Sequence, residues 1–370
     1  MKIKRLLAIN VPIKNCNLSC EYCYISALKE SEKGVAKFNF SPEHVGKCLS
    51  KERLGGICII NLTGGGETLI PKEMPQYIYQ LLKQGHYLEV VTNGTLTERF
   101  NEISMFPKEF LKRLEFKFSF HYLELKRKGL LEKYFTNVKK MRNNGCSFTI
   151  ELMPYDNLIQ EIPNIIELCK EELGAVCQIT VGRNDLKNRE LLTDLSIEEY
   201  KKIWSVFESN MFNFKMDIFQ KKIKNFCYAG LYSLYIDLGT GMTKPCYGQP
   251  NNQNIFENIN RKIKFEPVGK HCKQPYCYNG HAFLTLGMVP ELKTPTYSDI
   301  RNRICQDKTE WLQKDLKEAF SQKLVTQRDE WNDLKKIRYN CLFYINFFKA
   351  LIYDRKNLYK KLKKKIGFLL

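Results

Sequence analysis

Short apolar runs alternate with longer stretches of helical periodicity through the first half of the chain. Leu6–Val11, Ile57–Leu62, Leu88–Val91, Phe116–Phe120, Phe148–Leu152 and Gln178–Val181 have the length and the β-branched or aromatic content of buried strands. The stretches Pro42–Arg53, Lys72–Gln84, Leu125–Asn143, Leu158–Leu173 and Ile197–Phe207 predict helices. Ser41 ahead of Pro42 adds an N-cap with proline at the first helical position. Strands alternating with helices of this length predict an α/β fold with a parallel sheet. Further on, Ser233–Leu238 alternates like a strand, and Gly239, Thr240 and Gly241 supply the turn of a hairpin. Glu310–Tyr339 reads as a charged helical segment appended outside the sheet.

Three cysteines change the picture. Cys16, Cys20 and Cys23 have C-x3-C-x2-C spacing, and all three can turn inward from one short loop. Thiolate is a soft ligand that suits iron–sulfur clusters, zinc or Cu(I). Three ligands are one too few for a [4Fe–4S] cube, so one iron would stay open to a small molecule. A zinc knuckle, or three unligated core cysteines, are the alternatives. Thr63, Gly64, Gly65, Gly66 and Glu67 follow the second strand. Successive glycines let backbone approach a ligand closely, and a carboxylate can bind an ammonium; a plain strand-to-helix turn reads the same way. The third strand runs into Thr92, Asn93, Gly94, Thr95 and Leu96, where Asn-Gly marks a turn.

The cysteine triplet, with Tyr22 directly before its last member, resembles the cluster motif of the radical S-adenosylmethionine (SAM) enzymes. Gly64–Glu67 resembles their glycine-glycine-glutamate motif, and the Asn93 turn resembles their third-strand end. The resemblance implies a partial (β/α)6 TIM-like barrel with its chemistry at the C-terminal ends of the strands. It implies a [4Fe–4S] cluster on Cys16, Cys20 and Cys23, with SAM chelated to the open iron. It further implies cofactor contacts from Tyr22, Gly64, Gly65, Gly66, Glu67 and Asn93, and SAM contacts from Ser119 and Arg183. His121, Glu151 and Arg183, all at strand ends, are the catalytic candidates, facing SAM or substrate. An electron donor such as flavodoxin or ferredoxin is implied as a partner.

A second cysteine set, Cys227, Cys246, Cys272 and Cys277, brackets the expected hairpin. It resembles the twitch domain, the shorter relative of the SPASM domain, which carries one auxiliary [4Fe–4S] cluster. Only Cys305 and Cys341 remain downstream, too few for the second cluster of a full SPASM domain. Four thiolates suit structural zinc equally well, so iron–sulfur and zinc both stand at this point. His281, four residues past Cys277, is placed either to touch such a cluster or to serve structurally.

The remaining cysteines, Cys48, Cys58, Cys146, Cys169, Cys177, Cys305 and Cys341, read as buried small apolar residues, which favours a reducing cytoplasm over a disulfide-forming compartment. The N-terminus has no sustained apolar core and reads as a first strand, not a signal peptide. The formal net charge is +19. Between Lys335 and Leu370, eleven Lys or Arg face one acid, Asp354, a net of +10. Leu351, Leu358, Leu362 and Ile366 mark an apolar stripe among those lysines. A basic amphipathic helix of this kind either packs on its own barrel or lies on the inner face of an anionic membrane. Nucleic acid is the weakest partner reading, since no RNA-binding module is recognisable.

These features divide the chain into a barrel over 1–215, an auxiliary cluster domain over 216–295 and a basic helical extension over 296–370. The expected activity is reductive cleavage of SAM to a 5'-deoxyadenosyl radical that takes hydrogen from a small or carbohydrate-like substrate, for oxidation or epimerisation. Maturation of a ribosomal peptide is the alternative within the class. A zinc-stabilised protein that binds RNA or membrane is the alternative outside it.

Overall fold

The computed structural model describes residues 2–35, 37–184 and 190–353. Six strands follow one another in parallel register: β1 (Arg5–Val11), β2 (Cys58–Gly64), β3 (Tyr87–Thr92), β4 (Leu114–Phe120), β5 (Ser147–Leu152) and β6 (Gln178–Ile179). The sixth is shorter than its apolar run, ending before Thr180 and Val181. A small antiparallel pair follows, β7 (Arg183–Asn184) with β8 (Glu190–Leu191). The expected hairpin is β9 (Ser233–Asp237) with β10 (Met242–Lys244), and β11 (Gln253–Asn254) pairs with β10. β9 also lies parallel to β1, Leu7 opposite Leu234, so the hairpin prolongs the barrel's own sheet.

Several expected helices are divided, each for a local reason. Pro42–Arg53 is α1 (Pro42–Cys48) and α2 (Lys51–Leu54), because Ser50 caps the second by accepting from Arg53 N at 3.3 Å. Lys72–Gln84 is α3 (Met74–Lys83). The third strand is followed by α4 (Thr97–Ser104) and α5 (Lys108–Leu111), which the apolar pattern did not single out. Leu125–Asn143 is α6 (Tyr122–Arg127) and α7 (Leu131–Asn143), parted by Gly129 at φ +64°. Leu158–Leu173 opens with a 3₁₀ turn before α8 (Ile162–Leu173). Ile197–Phe207 is α9 (Ile197–Trp204) with a closing 3₁₀ turn. Next come α10 (Asn210–Ile218) and the short α11 (Gly280–Phe283). Glu310–Tyr339 is helical only in α12 (Lys314–Phe320) and the start of α13 (Asp333–Tyr353). Cys341 is exposed on α13, not buried as expected, whereas Cys48, Cys58, Cys146, Cys169, Cys177 and Cys305 are buried. The lysine-rich stripe from Asp354 onward lies outside the described residues. No helix among those described is long and apolar enough to cross a membrane.

Alternation along the strands sorts side chains to the two faces of the sheet. Phe116, Phe118, Phe120, Phe148, Ile150 and Leu152 are buried in the apolar core beneath the helices. Their alternates Glu115, Lys117, Thr149 and Glu151 meet one another on the opposite face. Thr149 Oγ1 donates to Glu115 at 2.5 Å, and Lys117 pairs with Glu151 at 2.8 Å. Residues 297–313 close the end where the strands begin. Phe148 N donates to Trp311 O at 3.1 Å, and Gln313 N donates to Ser147 Oγ at 2.8 Å. From this segment the fully buried Arg301 reaches Glu89 at 2.8 Å and Glu151 at 3.2 Å. Tyr297 and Asn61 also donate to Glu89. Burial first, then the neighbouring Glu89, pushes the Glu115 carboxyl upward, so it tends to keep its proton. Residues 297–313 are therefore part of the barrel's base, where two buried carboxylates meet the Arg301 guanidinium.

Replacing Arg301 by Ala leaves Glu89 and Glu151 buried without it and should cost about 3–5 kcal/mol by urea denaturation. Adding Glu89→Gln should recover part of the loss; strict additivity of the two would show that they do not interact. A second prediction concerns His86, which is fully buried, accepts from Cys58 N at 3.1 Å and donates Nε2–H to Leu49 O at 2.7 Å. Burial lowers its pKa to about 4. The unfolded chain therefore takes up this proton first, so the contribution is complete above about pH 6.5 and falls away toward pH 4, by roughly 3 kcal/mol. His86→Gln should flatten the dependence of urea midpoint on pH in that window; an unchanged slope would assign the titration elsewhere.

Candidate active site

Cys16, Cys20 and Cys23 lie in the loop that leaves β1. This loop is fastened to the turn after β2: Gly66 N donates to Ile13 O at 3.2 Å and Glu67 N to Asn15 O at 2.9 Å. The approach explains the glycines. A Cβ on Gly66 would stand 1.9 Å from Asn15 O, one on Gly64 2.5 Å from Ile13 Cγ2, and one on Gly65 2.9 Å from Ile13 O. Their smallness thus serves the cysteine loop in addition to the cavity they line. The third and fourth strand ends hold the loop from the other side. Asn93 Nδ2 donates to Asn17 Oδ1 at 2.8 Å and reaches Cys16 Sγ at 3.6 Å, while Ser19 N donates to Glu124 at 2.9 Å.

The three cysteines, Gly64–Glu67, Asn93, Ser119 and His121 border one cavity of about 170 Å³. Burial raises the pKa of Cys16 and Cys20, so metal uptake here must displace thiol protons. Glu67 is 3% exposed. Its carboxylate accepts from Leu69 N at 3.0 Å, Thr92 Oγ1 at 2.7 Å and Asn93 N at 2.6 Å, clasping the ends of β2 and β3 together. Three of its roughly four lone-pair sites are filled, leaving one on the oxygen that faces Asn93. Tyr22 Oη and His121 Nδ1 share a 2.6 Å hydrogen bond, and the Tyr22 ring packs 4.8 Å from Tyr155. Burial lowers His121 to about 4, which keeps it neutral near pH 7.

Glu151 and Arg183 do not border this cavity. Burial alone would raise Glu151, but Lys117, Lys215 and Arg301 outweigh it and hold the carboxyl below its usual range. Arg183 donates to Tyr278 O at 3.1 Å and borders a second cleft with Lys215, His281 and Cys277. Lys215 on α10 donates to Thr180 Oγ1, and burial brings its pKa down to about 7. Sequence reasoning missed Lys117, Lys215 and Arg301. The usable signal was Glu115 and Lys117 alternating with phenylalanines inside one strand, which marks a charged inner face.

Cys227, Cys246, Cys272 and Cys277, fifty residues apart from first to last, border a single cavity of about 70 Å³. Cys227 exchanges backbone hydrogen bonds with Gly269 at 3.0 and 2.9 Å, and Lys222 Nζ donates to Cys272 O at 2.7 Å. His281 borders the neighbouring cleft and not this cavity. Among the described residues, no three of His, Cys, Asp or Glu converge closely enough for a single metal ion. The thiols border hollows instead. Gly66→Ala should dislodge the first cysteine loop while leaving the second set in place, so Cys16, Cys20 and Cys23 should react faster with a thiol reagent than in wild type while Cys227, Cys246, Cys272 and Cys277 keep their rates. Unchanged rates at all seven would show that the loop tolerates the Cβ.

Three comparisons bear on this arrangement. Residues 10–169 match the family model described as the radical SAM superfamily. Over 89 residues the chain is 36% identical to the 7-carboxy-7-deazaguanine synthase of Methanospirillum hungatei, covering 24% of this chain and 34% of that protein. The chain therefore spans about a third of the length of this curated relative. Among solved structures, SuiB of Streptococcus suis aligns over 69% of this chain and 64% of its own, with 13% identity and a TM-score of 0.48. Native anSMEcpe with bound AdoMet aligns over 95% and 98%, with 17% identity and a TM-score of 0.43. The strands β2 to β5, the cysteine loop after β1 and the glycine turn after β2 all fall within residues 10–169, the stretch that matches the radical SAM superfamily model.

Proposed function

We propose that this chain reductively cleaves SAM and removes a hydrogen atom from a small or carbohydrate-like substrate, for oxidation or epimerisation. One observation carries the reading: Cys16, Cys20, Cys23, Gly64–Glu67, Asn93 and Ser119 border one cavity at the strands' C-terminal ends. The donor set fits, being three thiols from one loop around a hollow. Bound there, a reduced [4Fe–4S] cluster supplies the electron that splits SAM into methionine and a 5'-deoxyadenosyl radical. Cys16, Cys20 and Cys23 would hold it, which would leave it open to the amino and carboxylate groups of SAM. Glu67, through its remaining lone pair, would accept from an N–H of that amino group. Asn93 keeps the cysteine loop seated, and the neutral Tyr22–His121 pair closes the wall beside it.

In the same reading, Cys227, Cys246, Cys272 and Cys277 hold an auxiliary [4Fe–4S] cluster. A hollow bordered by four thiols that do not converge on one point suits a cube better than a lone zinc ion. Such a cluster supplies a one-electron acceptor for the substrate radical.

The test is anaerobic reconstitution of wild type and the triple variant Cys16→Ala, Cys20→Ala, Cys23→Ala, followed by metal analysis and a dithionite-driven SAM cleavage assay. Wild type should bind about eight irons and the variant about four. Only wild type should release 5'-deoxyadenosine. Zinc in place of iron, with no cleavage, would overturn the reading.

A further inference from the structure

The barrel interior carries basic side chains that its own carboxylates do not pair. Lys117, Arg183, Lys215 and Arg301 reach the interior or its rim, against Glu89 and Glu151. Glu115 is the third carboxyl, and burial beside Glu89 favours its neutral form. Glu151 is already engaged by Lys117 and Arg301. Among the described residues neither Lys215 nor Arg183 has a carboxylate within ion-pair distance. Their hydrogen bonds go to the neutral oxygens of Thr180 and Tyr278. Withdrawing a cation from water without a counter-ion is costly, and a protein holds one there most economically when a bound anion completes it.

The cations are not scattered. Lys215, Arg183 and His281 border one cleft beyond the end of β6, and His281 Nδ1 is buried there without a hydrogen-bond partner. Phe219 and Tyr276 form part of its wall, with ring centroids 5.4 Å apart, and Tyr278 lies 4.7 Å from Tyr276. Basic side chains and aromatic rings thus border the same cleft, the rings tilted by 56° and 88° to one another. Cys277 borders both this cleft and the four-thiol cavity.

We propose that this cleft seats an anionic group of the substrate, a carboxylate or a phosphate, between the Lys215 ammonium and the Arg183 guanidinium, with His281 Nδ1 as a third polar contact. The fork of Arg183 matches two oxygens of either group. Lys215 supplies a compact charge from the helix side. The cleft, about 20 Å³, has room for the acidic group alone, so the class of substrate is fixed by its acid and not by the rest of its skeleton. This inference rests on the radical SAM reading for the word substrate; the anion site itself rests on the cleft alone.

The probes are sodium acetate and inorganic phosphate, each titrated against sodium chloride at equal ionic strength, with the thermal midpoint of reconstituted, SAM-bound protein as the readout. Phosphate stabilises proteins generally by exclusion from their surface, so the informative quantity is the saturable part of the rise. It should appear in wild type and in Lys262→Met, which removes an exposed lysine away from the cleft. In Lys215→Met and Arg183→Met the apparent affinity should weaken about tenfold or more, as expected for losing a charge-assisted hydrogen bond. Lys215→Arg, which keeps the charge, should retain most of it and guards against a variant that merely misfolds. Whichever probe saturates at lower concentration identifies carboxylate or phosphate. No saturable rise in wild type, or an equal loss in Lys262→Met, overturns the inference. SAM cleavage assayed on the same samples separates the two proposals: cleavage without an anion site overturns only this one, and an anion site without cleavage overturns only the proposed function.

Discussion

The barrel depends on neutralising carboxylates that its own strands carry inward. Glu89, Glu115 and Glu151 project from three successive strands into space that an apolar barrel would fill with branched side chains. Buried carboxylates are tolerated only when paired or protonated. Lys117 and the incoming Arg301 pair with Glu151, Arg301 also meets Glu89, and Glu115 tends to keep its proton. This requirement explains why the chain beyond residue 296 returns to the barrel's base instead of forming a detached extension. A polar interior is costly to assemble, and its return is a cavity in which charge can be recognised.

The opposite end of the strands is built on a different constraint, the closeness of two backbones. Gly64, Gly65 and Gly66 are packed against Ile13 and Asn15 so tightly that any side chain would displace the cysteine loop. Glu67 turns its carboxylate into the protein to clasp the next strand, and Asn93 joins that strand to the loop. The three motifs are thus one mechanical unit in addition to three sources of ligands. A metal site needs this stiffness, because thiols on a wandering loop do not present a fixed set of donors.

Much of this was legible in the residues. Each strand of the parallel sheet was visible as an apolar run, and the cysteine, glycine and asparagine motifs each fell where a strand ends. The helices were legible in place but not in continuity, since Ser50 and Gly129 act through a cap and a backbone angle that periodicity does not register. The base of the barrel was not legible. Arg301 lies in a polar stretch that looks like surface, and only its distant partners, Glu89 and Glu151, give it a buried role. Arg183 stood at a strand end and so looked like a neighbour of Ser119, but β6 is short and the chain turns away into β7 toward Tyr278. The alternation of Glu115 and Lys117 with phenylalanines carried the missing information, because charges at period two within an apolar strand mark a polar cavity.

The pairing of β1 with β9 has a consequence for how the molecule comes into being. β1 leaves the ribosome well over two hundred residues ahead of Ser233–Asp237, the strand that completes one of its two edges. During most of synthesis that edge presents unpaired amides and carbonyls, the kind of surface that invites pairing with a foreign strand. A contact of such long sequence separation is also slow to form. The cysteine loop issues directly from this late-closing strand. The nascent chain thus carries Cys16, Cys20 and Cys23 beside an unfinished edge until Ser233–Asp237 arrives to close it.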